Sequence, residues 1–188
     1  MINRLETKMT VKYLDTIGLN AEFGGRGFHL PVDVSSNSES RIYVVSRSSP
    51  NPKGRVIDIC DLNHEWYGEF CGDGIENGYM KGPTAITHHT DGRVFLADEE
   101  LNRITIFSPD GEYENSWGEK GANPGEINGP SGLKFISSDE LLVVDHLNNR
   151  IQRMTPEGEY MSSWGHGGSG EGEFNLPWGI DTDISGNI

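Results

Sequence analysis

The sequence predicts an all-β fold, a partial β-propeller, on three observations: a long internal repeat in one register, four strand-like segments within each repeat, and 25 glycines in 188 residues. Pro83, Pro130 and Pro177 stand 47 residues apart, in Gly-Pro-Thr-Ala-Ile, Gly-Pro-Ser-Gly-Leu and Leu-Pro-Trp-Gly-Ile. The same offset carries Asp98 to Asp145, Asn102-Arg103-Ile104 to Asn149-Arg150-Ile151, Gly111-Glu112-Tyr113 to Gly158-Glu159-Tyr160 and Trp117-Gly118 to Trp164-Gly165. Repeats of about 40 to 50 residues with four strands each are propeller blades. The glycine content, roughly twice the average, supplies the many turns such a meander needs.

The elements follow in order. Residues 1–10 read as a tail. Residues 11–24 hold an outer strand of a closing blade, because Tyr13-Leu14-Asp15-Thr16-Ile17-Gly18 matches the segments that end in Gly118 and Gly165. Residues 25–79 are blade 1, opened by Pro31. There Arg41-Ile42-Tyr43-Val44-Val45 stands for Arg93-Val94-Phe95-Leu96-Ala97, and Arg55-Val56 stands for Arg103-Ile104. The extra length falls in a long loop between Ser46 and Arg55. Residues 80–126 are blade 2 and residues 127–173 blade 3. In blade 3 the strands read as 132–136, 140–144, 150–155 and 160–164, with turns at Ser138-Asp139 and Glu157-Gly158, and β-branched and apolar residues fill the second. Residues 174–188 open a fourth blade. A closed ring has no free sheet edges, so an arc of this kind is expected to associate through its open ends.

Composition bounds the function. A net charge of -14 repels phosphate backbones, so nucleic-acid binding is disfavoured. No apolar run is long enough to cross a bilayer, and residues 1–9 lack the apolar stretch of a signal peptide, which predicts no membrane contact and a cytoplasmic location. Cys60 and Cys71 match no metal or redox spacing and are expected to be free thiols. Residues 72–78 lack the acidic spacing and closing Glu of an EF-hand loop. Phosphate-binding glycine loops and nucleophile elbows are missing from the sequence, and no cofactor or metal is predicted.

In a four-stranded meander the turns alternate between faces, so the second-to-third-strand turn and the blade-to-blade loop share one face. That face collects Arg47, Thr84, Glu99, Glu100, Leu101, Ser131, His146, Leu147 and Trp178 around the channel, and it is the expected ligand-binding face. Asp98 with Arg103, and Asp145 with Arg150, flank the same turn. Their recurrence marks them as a structural clasp rather than a catalytic pair, with bidentate pairing the expected geometry. Trp117 and Trp164 end fourth strands and are expected to pack blade on blade. Trp178 breaks the repeat and suits either ligand stacking or closure of the channel. His88 and His89 fall in a first-to-second-strand turn on the opposite face, where adjacent residues diverge and do not form a metal pair.

The succession Pro-Xaa-Gly-Ile, Val-Phe-Leu-Ala-Asp, Asn-Xaa-Arg-Ile, Pro-Asp-Gly, Trp-Gly and Gly-Glu-Phe resembles the NHL repeat over residues 11–188. The resemblance implies a six-bladed ring of about 280 residues, of which this chain is part. Within the NHL group the layout resembles bacterial relatives of peptidyl-α-hydroxyglycine α-amidating lyase, whose catalytic arginine maps to Arg47. That family's zinc-binding histidines follow the blade-opening Pro. Here the positions are Thr84, Ser131 and Trp178, none of which offers an imidazole nitrogen. The family's catalytic tyrosine is missing from residues 145–150. The expected function is therefore a binding or scaffold module for a protein, peptide or small ligand. The alternative is an amidating-lyase-like or gluconolactonase-like enzyme whose metal ligands lie in blades outside this chain.

Overall fold

The computed structural model describes residues 12–20, 27–47 and 52–188. Three antiparallel four-stranded sheets follow one another along the chain. Blade 1 is β3 (Pro31–Ser36), β4 (Ile42–Ser46), β5 (Ile57–Cys60) and β6 (Trp66–Phe70). Blade 2 is β7 (Pro83–His88), β8 (Val94–Asp98), β9 (Arg103–Phe107) and β10 (Tyr113–Trp117). Blade 3 is β11 (Pro130–Ser137), β12 (Glu140–Asp145), β13 (Arg150–Met154) and β14 (Tyr160–Trp164). The first strands β3, β7 and β11 pack side by side and line the channel. A short parallel pair, β1 (Leu19–Asn20) and β2 (Gly27–Phe28), precedes blade 1. Isolated parallel bridges Asp73–Met80, Lys120–Ile127 and Gly167–Phe174 repeat that pairing at each later blade-to-blade loop.

Strand alternation builds the core. In blade 2, Val94 and Leu96 face blade 1 and join Tyr43, Val45, Ile57 and Ile59. Phe95, Ala97, Ile104 and Ile106 face blade 3 and meet Leu133, Leu141, Val143 and Met154. Both faces of β8 are thus buried, which is why Val94–Ala97 reads as an unbroken apolar run. The aromatic ending each fourth strand covers the next blade's turn glycine. Phe70 lies against Gly111, and Trp117 lies against Gly158 while its indole donates to the Pro156 carbonyl at 2.9 Å. Trp164 meets no such turn and is exposed.

Blade 1 departs from the expected register. Ile57, not Val56, pairs with Val45, whereas Ile104 pairs with Ala97, so Ile57 stands where Ile104 does. A 3-10 turn, Pro52–Gly54, precedes the strand, and Arg55 lies ahead of it, ion-paired with Asp73. At the ends, residues 13–17 and 179–184, read as strands from the sequence, carry no ladder. An outer strand is hydrogen-bonded only by the third strand of its own blade, and no described residue lies there. Residues 13–17 still keep the repeat's signature. Tyr13 Oη meets Thr16 Oγ1 at 2.8 Å, as Tyr113 meets Ser116 at 3.4 Å and Tyr160 meets Ser163 at 3.1 Å. Val34, on the outer face of blade 1, is 59% exposed, whereas its counterparts Ile86 and Leu133 are 3% and 7% exposed.

Asp58 faces the same outer side and is fully buried, with the Trp66 indole beside it but no hydrogen bond of normal geometry to either oxygen. Gln152, its counterpart in blade 3, donates to the Glu126 carbonyl at 2.6 Å and accepts from Gly125 N at 3.1 Å. Burial pushes the Asp58 carboxyl up to about 7 from its ordinary 3.8. A raised carboxyl pKa means that the folded state holds the proton more tightly. This group's contribution is therefore most favourable below pH 4 and declines as pH rises through 7, by roughly 4 kcal/mol in all. Asp58→Asn is expected to be more stable than the parent at pH 8 and to flatten that dependence, read by urea unfolding between pH 4 and 8. An unaltered slope would assign the dependence to other groups.

Candidate functional site

Each blade-to-blade loop carries peptide groups that no ladder satisfies, and the turn between the second and third strands receives them. Asp145 is fully buried. It accepts from Asn128 N at 2.7 Å, from the Asn148 amide, from Gln152 Nε2 at 3.1 Å and from Arg150 Nε at 2.7 Å. The rest of the Arg150 guanidinium donates to the carbonyls of Ala122, Asn123 and Glu126. Neither blade shows the expected bidentate pair: Arg150 meets Asp145 through Nε alone, and blade 2 departs further. Asp98 accepts from the amides of Lys81, Gly82, Glu100 and Leu101. Those four amides fill its lone pairs, and Arg103 instead donates to the carbonyls of Ile75, Glu76 and Tyr79. Asn102 and Asn149 are left-handed, at φ 52° and 53°, and reach the other way. Their side-chain oxygens accept from Gly129 N at 2.9 Å and Leu176 N at 2.7 Å, just ahead of the next blade's Pro.

These clasps hold the channel face. Arg47, at the end of β4, is ion-paired with Glu99 across the first seam, and Glu100 lies 4.0 Å away. Thr84 and Ser131 are buried. Thr84 Oγ1 donates to the Pro130 carbonyl at 2.7 Å, and Ser131 Oγ donates to the Trp178 carbonyl at 2.8 Å. The positions that follow the opening Pro thus tie one blade to the next. His146 Nδ1 lies 2.9 Å from the Pro177 carbonyl, and its ring meets Trp178 edge-on at 5.0 Å. Trp178 is 51% exposed. Arg47, Glu99 and Glu100 therefore form one group at the mouth, and His146 with Trp178 another. Among the described residues no three His, Cys, Asp or Glu side chains cluster to hold a metal.

Below the mouth, a groove of about 280 Å³ runs along the inner strands between Val32–Ser35, Thr84–Thr87, Ser131–Lys134 and residues 178–181. Asp33 lies in it, accepting from Ile86 N at 2.8 Å and Val34 N at 2.9 Å, and burial raises its carboxyl above the usual range. Lys134 Nζ pairs with Asp181 at 2.6 Å. Leu147, expected on the mouth face, is exposed there, and sequence reasoning missed two further exposed leucines, Leu30 and Leu176. Leu30 and Leu176 precede the opening Pro and are left-handed at φ 53° and 52°, where Gly129 sits at φ 61°. Comparing that position across repeats would have flagged them.

No family model matches the chain, and no curated protein matches it. Solved structures do match. The chain is similar to hydrazine synthase of Kuenenia stuttgartiensis, with a TM-score of 0.61 and 14% identity over 93% of this chain and 44% of that one. A catalytically inactive virginiamycin B lyase from Staphylococcus aureus, solved with quinupristin, gives 0.58 and 15% over 83% of this chain and 46% of that one. A chain of the nidogen/laminin complex gives 0.62 and 17% over 87% and 56%. This chain thus spans about half the length of these structures. The likeness shows the fold, a β-propeller, and at these identities the fold alone.

Because Asp145 receives charged and neutral donors in a solvent-free position, Asp145→Ala leaves Arg150 Nε and Asn128 N unpaired and removes the counter-charge of the guanidinium. A loss of about 3 kcal/mol is expected by denaturant unfolding. Asp145→Asn, which cannot accept from all its donors, should fall between. A loss within experimental error for Asp145→Ala would remove the clasp from the account of stability.

Proposed function

We propose that the chain is part of an NHL-type propeller that binds a protein or peptide on the channel-mouth face without catalysing a reaction. One observation carries the reading: an indole half-exposed at the mouth, beside exposed Leu147 and Leu176, with the Arg47–Glu99 pair on the same face. Large apolar side chains gathered on one face, next to fixed charges, suit a partner with an apolar anchor and a polar rim. Leu30 and Leu176 also hold left-handed backbone that costs of order 1 kcal/mol each in a non-glycine residue. That cost, kept at an exposed position, supports a role in contact. The similar chain of the nidogen/laminin complex is a propeller solved within a protein complex, which agrees with this use of the fold.

A second reading, a lyase-like enzyme, draws on Arg47 and on the similarity to virginiamycin B lyase. Against it, the Arg47 guanidinium is committed to Glu99, and Thr84 and Ser131 are committed to neighbouring carbonyls. Peptides selected from a random displayed library against the full chain test the two readings. Selected peptides should lose at least tenfold in affinity on Trp178→Ala, with the melting temperature unchanged, as expected for an exposed aromatic anchor. Selected peptides indifferent to Trp178→Ala, or cleavage of a peptidyl-α-hydroxyglycine probe in the presence of zinc, would reject the binding reading.

A further inference from the structure

The two seams between blades are built from matching positions, but only one is sealed. Between blades 2 and 3, the Arg93 guanidinium lies 5.5 Å over the Phe95 ring and 3.8 Å from the Glu157 carboxylate. His89 closes the same seam. Its Nε2 is 2.7 Å from the Ser138 carbonyl, and its ring lies 5.0 Å from Phe135, which stands edge-on to Phe95. A guanidinium over an aromatic ring, paired with a carboxylate, is a favourable arrangement that combines cation–π and ionic attraction.

Between blades 1 and 2 the same positions hold Tyr43 for Phe95, His88 for Phe135, Asp110 for Glu157, Asn37 for His89 and Arg41 for Arg93. The backbone bonds confirm the match: Asn37 N donates to the Arg41 carbonyl as His89 N donates to that of Arg93. The aromatic pair is retained, Tyr43 and His88 standing edge-on at 4.4 Å. The guanidinium is not. Arg41 lies at the edge of the seam, 4.2 Å over the Tyr67 ring rather than over Tyr43, beside Glu39 at 3.7 Å. Asn37 is too short to close the gap as His89 does. A cavity of about 440 Å³ remains, lined by Tyr43, His88, Asn37 and Asp110 among others. Asp110 is exposed and enters no ion pair among the described residues.

We propose that this seam is a binding pocket for the guanidinium of a partner protein's arginine, which takes the place that Arg93 holds in the next seam. The pocket lies on the face opposite the channel mouth and does not depend on the function proposed for the mouth. Its rim favours a cation: Asp91 is already held by Arg93 at 2.8 Å and Glu39 by Arg41 at 3.7 Å, which leaves Asp110 as the rim carboxylate without an ion pair among the described residues. His88 does not repel one, since burial pulls the imidazole down to about 4 and leaves it neutral at physiological pH. Its Nδ1 is engaged with Ser35 Oγ at 2.8 Å, which fixes the ring against Tyr43.

The test is a nuclear magnetic resonance titration of the full chain with N-acetyl-arginine amide and with its neutral isostere N-acetyl-citrulline amide, following His88 and Tyr43. The arginine probe should bind at least tenfold more tightly than the citrulline probe. Asp110→Asn should bring the two close to parity, and Asn37→His, which installs the residue that seals the next seam, should block both. Equal affinities in the parent chain would overturn the proposal. So would a preference that survives Asp110→Asn, or one that Trp178→Ala abolishes, since that would place the guanidinium on the other face.

Discussion

A chain that passes from one blade to the next leaves the shelter of its ladder, and its peptide groups there need partners. Everything else in this structure depends on how that need is met. The Asp, Asn and Arg around each second-to-third-strand turn meet it with side chains. Asp98 and Asp145 accept amides of the loop that enters their own blade. Arg103 and Arg150 each donate to three carbonyls of that loop. Asn102 and Asn149 accept the amide that precedes the following blade. A single turn therefore fixes the loops on both sides of it, and nearest-neighbour contacts of this kind are what a repeat array needs to hold its geometry.

With the loops fixed, the inner strands stand close enough for short side chains to link them. The Thr84 and Ser131 hydroxyls each reach a carbonyl of the next blade. Gly132 has a backbone neighbour in residues 178–180 that leaves no room for a Cβ. The same closeness puts Arg47 against Glu99 and His146 against Trp178 at the mouth. The site's geometry is thus a by-product of satisfying backbone groups. What varies between blades is only the side chain placed at each prepared position.

That division explains what could be read from the sequence. The 47-residue register is visible because the clasp residues, the opening Pro and the fourth-strand Trp must recur wherever the same backbone recurs. The cross-blade reach of Asn102 is not visible, because its partner is an amide 27 residues away that has no side chain to signal it. The split of labour between Asp98 and Arg103 is hidden for the same reason: both bind main chain, and a pair of opposite charges in sequence looks like an ion pair. The one-residue slip at Arg55 follows the 3-10 turn Pro52–Gly54, which periodicity does not detect. At the mouth, Arg47, Glu99 and Trp178 could be placed from strand order alone. Leu30 and Leu176 show only when the residue before each opening Pro is compared across the repeats, since strand order says nothing of the left-handed backbone that makes them prominent.

Departures from the repeat concentrate in blade 1. Ser46 stands where the other blades have Asp98 and Asp145, and its hydroxyl accepts from His29 N at a long 3.3 Å. His64, at φ 68°, replaces the turn glycines Gly111 and Gly158, and Cys71, at φ 59°, replaces Gly118 and Gly165. Cys71 gives up conformational ease and also buries a thiol whose pKa burial pushes up to about 12. Asp58 buries a carboxyl group with no hydrogen bond of normal geometry where blade 3 has a satisfied Gln152. Each of these choices weakens the local structure relative to its counterpart. Departures from local rules that gather in one element, while its neighbours keep them, are expected at strained or functional positions. Blade 1 supplies Arg47 to the mouth face and the Tyr43–Asn37 wall to the open seam, so both proposed binding surfaces draw on the blade that departs most from the repeat.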